Sequence, residues 1–299
     1  MTIKILIADK LAPEGATFLK AQKNVEVIEN TGLSGDALVT AIAEADGVIV
    51  RSSVKLTEEI LDKAYQNPEC RLKGIARAGV GVDNIDLQTA TKYGIAVMNS
   101  ASASTITTAE HAFALMISLA RNVANSNGVF RSGGWDRSKY VGVQLAGRTL
   151  GIVGMGRIGQ AVARRALAFG MDVIGFDPFM KEVTALDGQV RMMKSFNDLI
   201  TAVDIVSFHV PRTEETDGML GAEQFAICKP DLLVVNTARG GIVNEKALIQ
   251  ALDKNQCGGA AIDVFMSEPP AEDHPFRTHP KVLATPHLGA STVEAQEAV

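Results

Sequence analysis

Three glycines and one aspartate near the middle of the chain stand where a strand-like run passes into a helical pattern. Gly154, Gly156 and Gly159 follow the run LGIVG, and Asp177 ends the next apolar run, 18 residues after Gly159. Backbone N–H groups at such a turn and at the helix start can bind a pyrophosphate. A carboxylate at the next strand end accepts hydrogen bonds from ribose hydroxyls and repels a 2′-phosphate. The pattern predicts NAD as the cofactor and disfavours NADP; a strand-to-helix turn without a ligand is the alternative.

Chemistry beside a nicotinamide ring needs a side chain that gives and takes a proton, and histidine suits that task near neutral pH. The chain has five histidines: His111, His209, His274, His279 and His287. His111 lies among apolar residues of a helical pattern and fits a core histidine, while His274 and His279 lie in a proline-rich loop. His209 and His287 each follow a strand-like run, so either could lie at a sheet edge beside a cofactor. Residue patterns alone do not choose between these two.

Five motifs are similar to those of the D-isomer-specific 2-hydroxyacid dehydrogenases, and the resemblance extends over essentially the whole chain. The motifs are the glycine string within 151–178, HVPRTEET (209–216), NTARGGIVNEKAL (236–248), AAIDVFMSEPP (260–270) and PHLGAST (286–292). Together they are far more specific than the glycine string alone. The resemblance implies an enzyme that uses NAD to oxidise a D-2-hydroxy acid.

The resemblance also implies a catalytic trio of Arg239, Glu268 and His287, which resolves the choice between the two histidines. His287 would take the proton of the C2 hydroxyl as the hydride leaves C2, and would return it in the reverse direction. Glu268 would hydrogen-bond His287 and fix its tautomer. Arg239 would hold the substrate carboxylate and carbonyl oxygen with its planar donor fork. A loop carboxylate at Glu268 and a surface arginine at Arg239 are the alternatives.

Further cofactor contacts are implied by the resemblance, beyond the three glycines and Asp177. Asp263 matches the family's ligand of the nicotinamide carboxamide. Thr108 matches another contact, with a helix-capping role as the alternative. The remaining positions that match cofactor contacts are Val80, Arg157, Ile158, Val210, Thr237, Ala238 and Gly289.

Four segments indicate a small, anionic, phosphorylated substrate. RSSVKLTEEIL (51–61), ARAGVGVDNIDL (76–87), AVMNSASAST (96–105) and WDRSKYVG (135–142) most resemble the family members that oxidise 3-phospho-D-glycerate at the start of L-serine biosynthesis. The turn Gly79–Val80–Gly81 would offer backbone N–H groups to the carboxylate. Arg51 and Arg137 would bind the phosphate, with solvated arginines as the alternative, and Asn99 would line the same pocket. Trp135, the only tryptophan, is expected to pack under its loop.

Short apolar runs alternate with helical patterns from end to end, which is typical of α/β proteins with parallel sheets. One series of runs ends near residue 99 and a second begins at residue 148. We therefore expect two doubly wound parallel-sheet domains: a Rossmann NAD-binding domain over 100–286 and a smaller flavodoxin-like substrate domain over 1–99 and 287–299. A helical pattern at 99–122, with Thr107 and Glu110 at capping-box spacing, would join them. Family members usually continue beyond this point, so the substrate domain is expected to be incomplete at its C-terminus and serine feedback is not expected.

The composition limits the classes of binding partner and the cellular compartment that are expected for this chain. The formal net charge of −5 gives no global attraction to nucleic acid or anionic membranes, and no apolar window reaches the length of a membrane span. Three widely spaced cysteines form no metal motif and fit a reducing compartment, and the N-terminus lacks a signal-peptide core. We expect a cytoplasmic protein without a metal, and the resemblance implies a homodimer joined through the cofactor domains. The alternatives are another D-2-hydroxyacid dehydrogenase, a glyoxylate or hydroxypyruvate reductase, and an NAD-sensing binding protein similar to a co-repressor.

Overall fold

A computed structural model describes residues 2–183 and 186–299, which form two compact units. Unit 1 runs to Ser104 and resumes at Ser291, and unit 2 comprises Thr105–Ala290. The sequence predicted these divisions after Asn99 and after residue 286, a few residues earlier in each case. The later second division leaves His287 in unit 2.

Unit 1 is built on a parallel sheet. Its strands are β1 (Ile3–Ile7), β2 (Val25–Glu29), β3 (Gly47–Val50), β4 (Gly74–Arg77) and β5 (Ala96–Asn99). They lie in the order β2-β1-β3-β4-β5, which is the flavodoxin-like order. The connecting helices are α1 (Pro13–Lys20), α2 (Gly35–Ala43), α3 (Glu58–Gln66) and α4 (Leu87–Lys92). The predicted fold class of this unit is confirmed.

Unit 2 is built on a longer parallel sheet. Its strands are β6 (Thr149–Val153), β7 (Asp172–Phe176), β8 (Val190–Met192), β9 (Ile205–Phe208), β10 (Leu233–Asn236), β11 (Gly259–Ile262) and β12 (Val282–Ala284). Their order, β12-β11-β10-β9-β6-β7-β8, contains the Rossmann arrangement in which the order reverses next to the first strand. The helices are α5 (Thr105–Ala120), α6 (Val123–Arg131), α7 (Arg157–Ala168), α8 (Phe196–Ala202), α9 (Ala222–Ile227) and α10 (Glu245–Asp253), and the chain then enters unit 1 again as α11 (Val293–Ala298). Both predicted sheets are present, and only the edge strand β8 was not anticipated.

The central strands of unit 2 are continuous apolar runs because helices cover both faces of the sheet. All residues of β9 and β11 are buried. Two apolar clusters share this sheet, one that includes α8 and α10 and one that includes α5 and α7. Strands held in this way bring the loops at their carboxyl ends to one edge of the sheet.

Helix α5 starts at Thr105, so Thr107 lies inside it and the predicted capping box does not form its start. The residues that α5 buries include Ala109, Ala112, Phe113 and Met116, at the predicted helical spacing. Across residues 2–183 and 186–299, no helix is long and apolar enough to cross a membrane.

Candidate active site

The glycine turn between β6 and α7 forms an open cradle. Gly154 has φ +91°, and an added Cβ at Gly159 would overlap the carbonyl oxygen of Gly154, so α7 approaches the turn as closely as only glycine allows. At Gly156, the N-cap of α7, an added Cβ would meet no heavy atom of the described residues within 4 Å. The first N–H groups of an α-helix have no partner within the helix. The turn therefore offers N–H donors and open space to an anion. Arg157 and Ile158, which are predicted to contact the cofactor, are the first two residues of α7.

Asp177 follows β7 and lies against this turn. The backbone N–H of Met155 donates to its Oδ2 at 3.0 Å, and that of Phe179 donates to its Oδ1 at 2.9 Å. A carboxylate oxygen can accept more than one hydrogen bond. Each oxygen of Asp177 can therefore accept another donor, such as a ribose hydroxyl.

Glu268 and His287 meet in the loops that follow β11 and β12. His287 Nδ1 lies 2.7 Å from Glu268 Oε2, and the N–H of Phe265 donates to Glu268 Oε1 at 3.0 Å. The side chains of His287 and Glu268 are 47% and 37% exposed, so a small molecule can reach them. The structure brings these two predicted catalytic residues together.

Arg239 lies in the turn that follows β10, and two neighbours shape this turn. The buried Asn236 donates through Nδ2 to the Arg239 carbonyl at 2.9 Å and accepts from the Ala238 N–H at 3.1 Å. An added Cβ at Gly240 would overlap the carbonyl of Phe265. The Arg239 turn therefore packs directly on the loop that carries Glu268.

Asp263, at the end of β11, is fully buried and contacts another predicted cofactor residue. It accepts a hydrogen bond from the Gly289 N–H at 2.8 Å. An added Cβ at Gly289 would lie 3.5 Å from Thr108 Cγ2, which places Thr108 beside the same loop. These three residues form one cluster at the carboxyl edge of the sheet.

His209 lies at the end of β9, where its Nε2 and the hydroxyl of the buried Ser207 are 2.9 Å apart. Burial lowers the pKa of His209 to about 4, so its imidazole is neutral at physiological pH.

Val210 packs beside the glycine turn, since its Cγ1 would lie 2.7 Å from an added Cβ at Gly154. Next to Ala238, the hydroxyl of Thr237 is buried and has no hydrogen-bond partner among the described residues.

In unit 1, Arg51 and Asn99 line one cavity of about 300 Å³. The Arg51 N–H donates to the buried Asp9 at 2.7 Å, and Asn84 Nδ2 donates to the Arg51 carbonyl at 2.7 Å. Asn99 Nδ2 donates to the Val80 carbonyl at 2.5 Å, and this bond ties β5 to the turn Gly79–Val80–Gly81, in which Gly79 has φ +145°.

Arg137 and Trp135 lie on the segment that follows α6. Both are exposed, and Trp135 is 77% exposed, so the prediction that this tryptophan packs under its loop is wrong. Its ring contacts only one other aromatic ring of the described residues, that of Phe130, at 6.2 Å between centroids.

Several residues that shape the candidate site were not anticipated from the sequence. Five of them hydrogen-bond a predicted site residue directly: Asp9, Asn84, Asn236, His111 and Thr285. The sixth is Arg77, which lines the cavity of unit 1. A polar residue at the end of an apolar run, as at Asn236, was the available signal. No group of three or more metal-ligating side chains that could hold a metal ion occurs in the described part of the chain.

Comparison with known proteins gives one family match. A family model described as "D-isomer specific 2-hydroxyacid dehydrogenase, NAD binding domain" matches residues 113–289, which lie within unit 2. The D-3-phosphoglycerate dehydrogenase of Methanocaldococcus jannaschii is 44% identical over 296 residues, which are 99% of this chain and 55% of that protein. The chain spans about half the length of the curated relatives it matches.

Solved structures match nearly the whole chain. The TT0316 protein of Thermus thermophilus is 34% identical with a TM-score of 0.87, over 99% of this chain and 92% of that one. The D-lactate dehydrogenase of Aquifex aeolicus, solved with NAD and lactic acid, is 28% identical with a TM-score of 0.83, over 99% of this chain and 91% of that one.

Proposed function

The chain belongs to the family of D-isomer-specific 2-hydroxyacid dehydrogenases, and from that premise we propose that it oxidises 3-phospho-D-glycerate to 3-phosphohydroxypyruvate with NAD, the first step of L-serine biosynthesis. The observation that carries the proposal is the 2.7 Å hydrogen bond between Glu268 and His287. The pair lies at the carboxyl edge of the sheet, where the glycine turn also lies. The choice of substrate is supported by relatives that are named D-3-phosphoglycerate dehydrogenase in archaea and bacteria.

The residues of unit 2 fit NAD. The N–H groups at the start of α7 would hold the pyrophosphate, Asp177 the adenosine ribose and Asp263 the carboxamide. The buried hydroxyl of Thr237 has a hydrogen bond to give. Further contacts from unit 2 would come from Thr108, Val210, Ala238 and Gly289, and Val80 of unit 1 is one more proposed contact. Bound NAD supplies the acceptor for the hydride that leaves C2 of the substrate.

His287 would move the proton. An ionised carboxylate can only accept hydrogen bonds. With Glu268 in that form, the His287 Nδ1 that it contacts carries the hydrogen of the bond. In the neutral imidazole, Nε2 is then left with the lone pair. His287 can therefore take the proton of the C2 hydroxyl at Nε2 during oxidation and return it during reduction.

Arginines would hold the anionic groups of the substrate. Arg239 would bind the carboxylate and the C2 oxygen through its planar donor fork. Arg51 would bind the phosphate in the cavity of unit 1, where Arg77 adds a second guanidinium group, and Arg137 is the other candidate for that phosphate. Asn99 and the turn Gly79–Val80–Gly81 would complete the substrate contacts.

We also propose that two copies of unit 2 form a homodimer. The support is an exposed apolar set on α6 and the segment after it: Val123, Phe130, Trp135 and Val141. The rings of Phe130 and Trp135 lie 6.2 Å apart between centroids, and exposed apolar side chains that lie together are typical of protein–protein contacts. Sedimentation equilibrium should give a dimer, which Trp135→Ala weakens; a monomeric parent would contradict this part of the proposal.

A cytoplasmic location is proposed on the chemistry of the cysteines. Cys70, Cys228 and Cys257 are all free, which suits a reducing compartment.

The test of the proposed function is the initial rate of NADH oxidation with 3-phosphohydroxypyruvate, beside hydroxypyruvate, glyoxylate and pyruvate. A strong preference for the phosphorylated keto acid is expected. Faster turnover of a small keto acid would move the chain to another activity of the same family. NADH binding without turnover of any of them would contradict the enzyme proposal in favour of a binding protein.

A further inference from the structure

The loop that carries His287 is attached to Asp263 through three consecutive residues. The His287 N–H donates to the Asp263 carbonyl at 2.9 Å. The Leu288 N–H donates to Oδ1 and the Gly289 N–H to Oδ2, both at 2.8 Å. The position of His287 therefore depends on the position of Asp263.

The backbone of His287 needs this support. Its φ is +55°, in the left-handed region that residues other than glycine rarely adopt. Such conformations persist when the surrounding structure determines them through several contacts. The bonds to Asp263 are contacts of that kind, and they come from residues 287, 288 and 289.

Asp263 is in turn held by two side-chain donors. Its Oδ1 accepts from the Thr285 hydroxyl at 2.6 Å and lies 3.1 Å from His111 Nε2. Burial raises the pKa of Asp263, but hydrogen bonds from His111, Thr285 and the Leu288 N–H outweigh it and leave the pKa below its usual value. An ionised carboxylate only accepts hydrogen bonds, so His111 Nε2 carries the hydrogen of its bond to Asp263.

We propose that His111 is a positioning residue for the reaction: it donates through Nε2–H to Asp263 and thereby holds the loop that presents His287. His111 acts from α5 and reaches His287 only through Asp263. Helix α5 lies against the same loop one turn earlier, because an added Cβ at Gly289 would lie 3.5 Å from Thr108 Cγ2. This inference rests on the proposed function, since it assigns His111 a part in placing the proposed proton carrier.

The test compares His111→Leu, which removes the donor, with His111→Gln, which keeps an N–H donor near the Nε2 position. His279→Leu is the matched control, because His279 pairs with Asp253 at 3.4 Å away from the proposed site. The measurements are kcat for 3-phosphohydroxypyruvate, normalised to NADH-binding sites, and the primary isotope effect with NADH that carries deuterium at the transferred position. Hydrogen–deuterium exchange of the Leu288 and Gly289 amides is measured in the same variants.

For His111→Leu we expect kcat to fall about 10- to 100-fold, because a small displacement of a catalytic group has that effect. The isotope effect should rise, since proton and hydride transfer become rate-limiting, whereas a loss of folded protein leaves an isotope effect unchanged. The two amides should exchange about tenfold faster. His111→Gln should recover most of each change, and His279→Leu should behave like the parent.

A His111→Leu variant with the parent's kcat, isotope effect and exchange rates would overturn the proposal, and so would a His111→Gln variant as impaired as His111→Leu. If His111→Leu does not fold, Thr285→Val removes the other side-chain donor of Asp263 and must give the same three changes. The exchange measurement needs no turnover. An inactive parent would contradict the proposed function, whereas unchanged exchange in His111→Leu would contradict the positioning role.

Discussion

His209 should make the stability of unit 2 depend on pH in a way that one substitution removes. Burial lowers its pKa from 6.5 to about 4, and its Nε2 is hydrogen-bonded with the buried Ser207 hydroxyl. Between these two pKa values the unfolded chain binds a proton that the folded chain does not. The stability contributed by neutral His209 is therefore complete above a pH of about 6.5 and is lost as the pH falls towards about 4.

The two pKa values predict that the parent loses about 2 kcal/mol of unfolding free energy through His209 between about pH 7.5 and about pH 5. His209→Gln keeps a hydrogen-bonding side chain but does not titrate, so it should lose about 2 kcal/mol less over the same range. Urea unfolding, monitored through hydrogen–deuterium exchange of peptides from β9 and β10, would report the stability of unit 2 in the parent and in His209→Gln. An equal pH dependence in the parent and His209→Gln would refute the argument that the partly buried His209 stays neutral.

Three further substitutions test the proposed site. Asp177→Ala should reduce the preference for NADH over NADPH about tenfold or more, because losing a charge-assisted hydrogen bond costs about 1.5–3 kcal/mol. Steady-state kinetics with both cofactors would measure this preference, with Asp172→Ala at the other end of β7 as the control. An unchanged ratio of the two cofactors would reject the role of Asp177 in binding the ribose. Arg137→Ala should lower kcat/KM for 3-phosphohydroxypyruvate by the equivalent of about 1.5–3 kcal/mol and leave kcat/KM for hydroxypyruvate unchanged. Substitution of the exposed Arg131 by alanine (Arg131→Ala) is the control. Equal losses on both substrates would show that Arg137 does not bind the phosphate. Glu268→Gln should lower kcat about 10- to 100-fold through a misoriented His287, while NADH binding measured by fluorescence stays the same; a parent-like kcat would contradict the orienting role.

The strands were predictable because parallel strands covered on both faces must be continuously apolar. Each expected run contains a strand, and the runs extend at most three residues beyond the strand ends. β8 was not predicted, since Val190–Met192 is only three residues long at the edge of the sheet. The start of α5 was placed wrongly because Ser and Thr are frequent from residue 100 to residue 108, and each of them is a plausible cap.

The site was predictable only in part, since motifs identify residues but not the contacts that hold them. Glu268 and His287 could be chosen from the motifs, but their 2.7 Å contact depends on β11 and β12 being neighbours. The pairing of His111 with Asp263 joins residues far apart in the chain, and helical periodicity only indicated that His111 is a core residue. Trp135 shows the reverse case, because an aromatic side chain expected to pack under its own loop is exposed.

The account depends most directly on His287 as the proton carrier. The measurement is the turnover of His287→Gln in the NADH-dependent reduction of 3-phosphohydroxypyruvate, together with NADH affinity measured by fluorescence titration. The account predicts that kcat falls at least about 100-fold, as expected for the loss of a general acid–base, while the Kd for NADH stays within about threefold of the parent value. A His287→Gln variant that turns over like the parent would contradict the account.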